Sequence, residues 1–128
     1  MIQVGAKLLG HETDGLRLLQ ALTLLSKPIE SSQKRAMRER LKRQYASAKF
    51  LVEAYRDAKP TSRGACGLER DAWEAGILML EHCACLRKDV GKYIFLASPE
   101  ECMAKLERVW EESKILVDFG IAPTYLAH

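Results

Sequence analysis

Apolar residues recur three and four positions apart over most of this chain, and hardly anywhere do they alternate with polar ones. Between residues 34 and 57 they fall at Met37, Leu41, Tyr45, Ala48, Leu51, Val52 and Tyr55. That spacing lays one stripe along one face of a helix of about residues 30–57. Leu16, Leu18, Leu19, Ala21, Leu22, Leu24 and Leu25 crowd a shorter segment, residues 16–26, apolar almost all round, which must bury several sides. Pro28 breaks it, and a weaker helix over 2–10 precedes it. After the loop 58–67, punctuated by Pro60, Gly64 and Gly67, another helix is predicted over about 68–88 from Leu68, Ala72, Trp73, Gly76, Met79, Leu80, Cys83 and Leu86. Residues 92–97 are apolar and read either as a helical turn or as an extended connector. Ser98-Pro99-Glu100-Glu101 then starts a last helix, which runs to about Asp118. Serine caps, proline suits the first helical position, and Glu101 can close a capping box. Gly120 and Pro123 supply the stop. The pattern predicts an all-α bundle of four to six helices.

Two of these helices are written alike. RLKRQYASAKFLVEA (40–54) returns 65 residues later as KLERVWEESKILVDF (105–119), with Leu41/Leu106, Arg43/Arg108, Lys49/Lys114, Leu51/Leu116 and Val52/Val117 identical. Arg40/Lys105, Tyr45/Trp110, Phe50/Ile115 and Glu53/Asp118 are conservative pairs. Two readings stand. Either residues 2–57 and 68–119 are related units stacked on a shared core, or two amphipathic helices coincide because both obey the 3.6-residue period. Stacked units require Leu41, Leu106, Leu51 and Leu116 all to be buried, with the Tyr45 and Trp110 rings each against the apolar helix of their own unit.

At 128 residues the chain forms a single domain that can bury a core without staples. Its apolar runs, such as residues 75–80, are too short to span a bilayer. The first fifteen residues show no leader pattern, which implies a cytoplasmic protein with its four cysteines reduced. The net charge of +3 conceals +7 in residues 1–64 and −4 in residues 65–128. A bipolar chain is a poor match to a nucleic-acid binder, whose basic charge is usually sustained.

Lys34, Arg35, Arg38, Lys42 and Lys49 of the long basic helix are the candidate partner-binding residues; Arg35, Arg38, Lys42 and Lys49 share a rough face, while Arg40 and Arg43 point elsewhere. Such a face is either simply solvated, or contacts an acidic protein segment, or neutralises phosphates along residues 34–49. No aromatic residue interleaves to stack bases. In the last helix, Glu100, Glu101, Glu107, Glu111 and Glu112 make an acidic counterpart.

Signs of catalysis are missing. Gly5 to Gly10 has the glycine spacing of a phosphate loop but lacks the following Lys-Ser/Thr. His11, His82 and His128 have no nucleophile at readable spacing. On a continuous helix Cys83 and Cys85 point to opposite sides, and a zinc site needs four converging ligands. Neither metal nor cofactor is expected, and the cysteines read as buried thiols.

The segments 16–29 and 34–55 together resemble the second and third helices of the MIT (microtubule-interacting and trafficking) module, and two units in tandem are similar to the C-terminal region of autophagy-initiating kinases. The third helix carries the likeness through its basic–Leu–x–x–x–aromatic–x–x–Ala–x–x–Leu pattern at Arg40, Leu41, Tyr45, Ala48 and Leu51. The short glycine-bearing first helix, and the absence of a clean middle helix in the second unit, depart from the family. The resemblance implies stacked MIT-like or TPR-like helical units and a non-enzymatic adaptor that takes a partner's helix or tail in a groove. The alternative is a helical nucleic-acid-binding protein.

Overall fold

The computed structural model describes residues 31–58 and 63–127. The helices expected over 2–10 and 16–26, the Pro28 break, the Gly5–Gly10 spacing, His11, Pro60 and His128 lie outside the described residues.

A 3-10 turn at Ser31–Gln33 leads into helix α1, Lys34–Ala58. Leu41, Gln44, Ala48, Leu51 and Val52 line its buried side, each at most 2% exposed. Their spacing of three and four is the stripe seen in the sequence. A single turn, α2 (Arg63–Cys66), buries Cys66 and closes on Gly67, whose φ of +72° suits a residue without Cβ. Helix α3, Arg70–His82, buries Gly76, Ile77, Met79 and Leu80 against α1.

Gly76 sets how close α3 and α1 come. A Cβ placed there would lie 2.8 Å from Leu51 Cδ1 and 3.0 Å from backbone atoms of both Ser47 and Ala48. The backbones meet because glycine faces small residues.

The sequence reading prolonged α3 to about residue 88, but the helix ends at His82. Ala84 takes a left-handed conformation with φ +57°. Cys85 N–H donates to the Leu80 carbonyl and Ala84 N–H to the Glu81 carbonyl, both at 3.0 Å. These are the two bonds of a Schellman stop, normally built around glycine.

Beyond that stop, strands β1 (Leu86–Asp89) and β2 (Lys92–Phe95) pair antiparallel, Leu86 with Phe95 and Asp89 with Lys92. The largely helical molecule therefore carries a hairpin that the all-α expectation did not contain. Its two-residue turn, Val90-Gly91, has φ of +45° and +77°, the signs a type I′ turn demands. A lone hairpin is marginal in water. Here Phe95 stacks on Tyr55 of α1 at 4.0 Å between centroids, and Tyr93 meets Trp73 of α3 edge-on at 5.3 Å.

Helix α4, Pro99–Asp118, starts as its sequence promised. Pro99 occupies the first turn and Ser98 Oγ accepts from Glu101 N–H at 3.2 Å. It ends on a second Schellman stop, with Gly120 left-handed, Ile121 N–H on the Leu116 carbonyl and Gly120 N–H on the Val117 carbonyl. The chain then folds back, burying Ile121 and Leu126.

Helix α1 is the centre of this arrangement. It packs against α3 and α4, which touch each other sparingly. Against α4 it runs antiparallel: Arg38 meets Asp118, Tyr45 meets Trp110, and Val52 lines the same recess as Met103.

Candidate functional site

Packing divides the five cations singled out on α1. Lys34 Nζ donates to the Asp118 backbone carbonyl at 3.1 Å. Arg38 places Nε 3.1 Å and one terminal nitrogen 3.0 Å from the Asp118 carboxylate. Both residues thus serve the C-terminal end of α4, where carbonyls lack helical partners and the helix dipole favours positive charge. They tie α1 to α4 across an exposed pair of modest strength.

Arg35, Lys42 and Lys49 are left over. None meets an acidic side chain or an acceptor among the described residues. They stand seven residues apart, so they recur every second turn on the outer side of α1. Arg35 and Lys42 are exposed and Lys49 is half-buried. Phe50 lies beside them, 44% exposed, with Glu39, Ala46 and Glu53 filling the rest of the face.

Arg40 and Arg43 point elsewhere, into a recess of about 310 Å³ between α1 and α3. Its other wall carries Glu69 and Asp71, so charges of opposite sign face each other across it. The Gln44 amide, 1% exposed, closes one side: its nitrogen donates to the Tyr125 carbonyl at 2.7 Å and its oxygen accepts from Ala127 N–H at 3.3 Å. The amide thereby acts as a strand partner for the returning C-terminal segment. Tyr125 also stacks on His82, 3.7 Å between centroids, and its hydroxyl shares a short hydrogen bond with Ser113.

The four cysteines are free and buried, as the sequence predicts, but Cys83 and Cys85 do not lie on a continuous helix. Because α3 stops at His82 and Ala84 turns left-handed, Cys83 and Cys85 are both buried rather than opposed. Cys102 of α4 is buried as well, its Sγ donating to the Ala97 carbonyl at 3.8 Å. Burial, as the largest cause, pushes the Cys83 thiol up to about 11 and the Cys102 thiol up to about 12. Thiols so held are poor nucleophiles. Among the described residues, no group of three His, Cys, Asp or Glu side chains is placed to hold a metal ion.

The α1/α4 pair shows a relationship that a list of charges conceals. From Arg40 to Glu53 and from Lys105 to Asp118, the order of buried, half-buried and exposed positions is the same except at one place. There Ser47 is buried and its counterpart, Glu112, is exposed. Leu41, Leu106, Leu51 and Leu116 are all buried. The Tyr45 and Trp110 rings, expected against separate helices, instead stack on one another. Two echoing helices that run antiparallel and meet at equivalent residues are related by a local two-fold axis between those rings.

No family model, curated protein or solved structure matches this chain. Among the described residues, no helix is long and apolar enough to cross a membrane.

Proposed function

We propose that this protein is a non-enzymatic interaction module of the cytoplasm that binds an acidic, amphipathic partner segment along the free face of α1. One observation carries the reading: Arg35, Lys42 and Lys49 form a line of cations with no partner among the described residues beside an exposed phenylalanine, while their neighbours Lys34 and Arg38 are consumed by the fold. An acidic helix with an apolar residue every second turn complements that face in charge and in shape. The four free, buried cysteines fit a reducing compartment. The MIT-like reading belongs to the same proposal through the pattern on α1, although the mutual stacking of Tyr45 and Trp110 is not the packing that two stacked units require.

Fluorescence anisotropy with a labelled helical peptide of Glu and Leu at three- and four-residue spacing tests the proposal. Binding should weaken as salt rises. It should be lost in a variant carrying Arg35→Glu, Lys42→Glu and Lys49→Glu whose helical circular dichroism is unchanged. Undiminished binding by that variant would remove the site from α1. A preference for a random DNA duplex over the peptide would favour the phosphate-binding alternative.

A further inference from the structure

The local two-fold axis turns the outer face of α1 into a template for that of α4. Adding 65 to each exposed residue of the α1 face, Arg35, Glu39, Lys42, Ala46, Phe50 and Glu53, gives Glu100, Ala104, Glu107, Glu111, Ile115 and Asp118; half-buried Lys49 corresponds to Lys114. Apart from that last pair, every one of these residues is exposed. Both sets form single stripes along their helices, because both follow the same three- and four-residue steps.

The two stripes agree at one apolar position and are opposite in charge at two, while Glu53/Asp118, and Lys49/Lys114 beside them, keep the same sign. Phe50 and Ile115 are large apolar side chains left 44% and 53% exposed at matching positions. Arg35 corresponds to Glu100, and Lys42 to Glu107. Each Glu of these two correspondences, like each cation, lacks an ion-pair partner among the described residues. The remaining acids of the α4 stripe are already neutralised at home: Glu111 by Lys114 at 3.0 Å and Asp118 by Arg38 at 3.0 Å.

We propose that the acidic partner of α1 is the α4 stripe of a second copy of this chain. The inference rests on the reading of α1 as an acid-binding face and names its partner. With the two helices docked parallel and in register, Arg35 faces Glu100, Lys42 faces Glu107 and Phe50 meets Ile115. The match is geometric as well as electrostatic, because the same seven-residue step, about 10.5 Å of helix, separates each member of both charge pairs.

Such a contact joins two different surfaces, so each copy keeps one free stripe of either kind. Association of this type extends head to tail unless its rotation closes a ring. It should be weak and salt-sensitive, since the paired charges are exposed and screened.

Complementary charge reversal separates this from any other self-association. Sedimentation velocity on the whole chain at low salt should show species that grow with concentration and shrink as salt is added. A basic-face variant, Arg35→Glu with Lys42→Glu, keeps only its α4 stripe. An acidic-face variant, Glu100→Lys with Glu107→Lys, keeps only its α1 stripe. Each alone should be monomeric, with self-association weakened by roughly tenfold or more. Mixed, they should recover salt-sensitive assembly, because the intact α1 stripe of one pairs with the intact α4 stripe of the other and the two reversed stripes are complementary in turn. If Glu100→Lys disturbs the first turn of α4, Glu107→Lys with Glu111→Lys reverses the stripe and leaves the cap intact. A wild-type chain that stays monomeric at every concentration, a variant that still assembles alone, or a mixture that fails to pair would each overturn the proposal. The Glu/Leu peptide then reports separately: bound by the acidic-face variant and refused by the basic-face variant, it leaves the α1 face standing even if the second copy is not its partner.

Discussion

Tyr45 of α1 and Trp110 of α4 stack with ring centroids 4.7 Å apart and planes 11° from parallel, and the Lys114 ammonium lies 5.0 Å from the Trp110 ring centroid. The residues occupy equivalent places in two echoing helices, so one contact stands at the middle of the α1/α4 interface. A double-mutant cycle with Tyr45→Ala and Trp110→Ala should give a coupling of about 0.5–1.5 kcal/mol, the range for aromatic pairs. Urea unfolding of the four proteins measures it. The flanking leucines supply the bulk of the packing: Leu41→Ala and Leu106→Ala, both at fully buried positions, should each cost about 2–5 kcal/mol.

Gly76 should resist substitution where other glycines do not. Alanine is the better helix former by about 1 kcal/mol, yet a methyl at 76 meets the backbones of Ser47 and Ala48 at 3.0 Å, and these have little room to give. Gly76→Ala is expected to be destabilising overall, by about 1–3 kcal/mol, the range for overpacking. Gly64→Ala, where a Cβ meets nothing within 4 Å, should be neutral or stabilising. Thermal melts of the pair distinguish crowding from propensity.

Two residues with side chains sit where the backbone favours glycine or asparagine. Val90, 92% exposed, takes φ +45° in the hairpin turn, and Ala84 takes φ +57° at the end of α3. A left-handed residue costs about 1–2 kcal/mol when it carries a Cβ. Val90→Asn and Ala84→Gly should therefore each stabilise the protein by about 1 kcal/mol. An unchanged or lower denaturation midpoint would show that neither position carries strain.

Stability should fall toward both ends of the pH scale. Partial desolvation of the His82 imidazole, which stacks on Tyr125 while the residue stays largely exposed, holds it below its ordinary range, against the pull of Glu112. The folded state thus favours neutral imidazole, and this contribution, complete above about pH 6.5, is lost as pH falls from there through the lower pKa of the folded state. Cys83 is shifted the other way, from 9.0 to about 11. Between those values the unfolded chain releases a proton that the folded chain retains, so stability declines as pH rises from 9.0 toward 11. Cys102, raised to about 12, adds the same sign. Urea midpoints across this range should bend downward at both ends, and Cys83→Ala should flatten the alkaline side.

What the sequence disclosed was local. The cap at Ser98-Pro99, the buried stripe of α1 and the burial of the echoing leucines all follow from residues within a few turns of one another. The hairpin escaped because its strands are only four residues long and its turn is Val-Gly rather than Asn-Gly. The end of α3 escaped because alanine stands where a Schellman stop usually has glycine. That single substitution also hid the inward turn of Cys83 and Cys85. Lys34 and Arg38 looked available because their partner, Asp118, is more than 80 and exactly 80 residues away respectively in sequence, beyond any periodicity. The axis relating α1 to α4 needed coordinates, since an echo in sequence does not say whether two helices meet.

Gln44 is the least conspicuous of these long-range contacts and offers the sharpest local test. Its amide is the one group that both donates to the Tyr125 carbonyl and accepts from Ala127 N–H. Gln44→Ala leaves both backbone groups without that partner, which costs about 1–3 kcal/mol where they are shielded from water. Gln44→Glu should be worse above the carboxyl range. A carboxylate still accepts from Ala127 but cannot donate to Tyr125, and it carries charge at a position only 1% exposed. Lowering the pH until the new carboxyl is protonated restores a donor and should recover part of the loss. The effect should concentrate in the tail, because Leu126 is buried only while the segment lies across α1 and α3. Hydrogen exchange at Ala127 and the rate of carboxypeptidase trimming should both rise in either variant. If the global midpoint falls while neither tail measurement changes, Gln44 acts within α1 rather than as the clasp of the C-terminal segment.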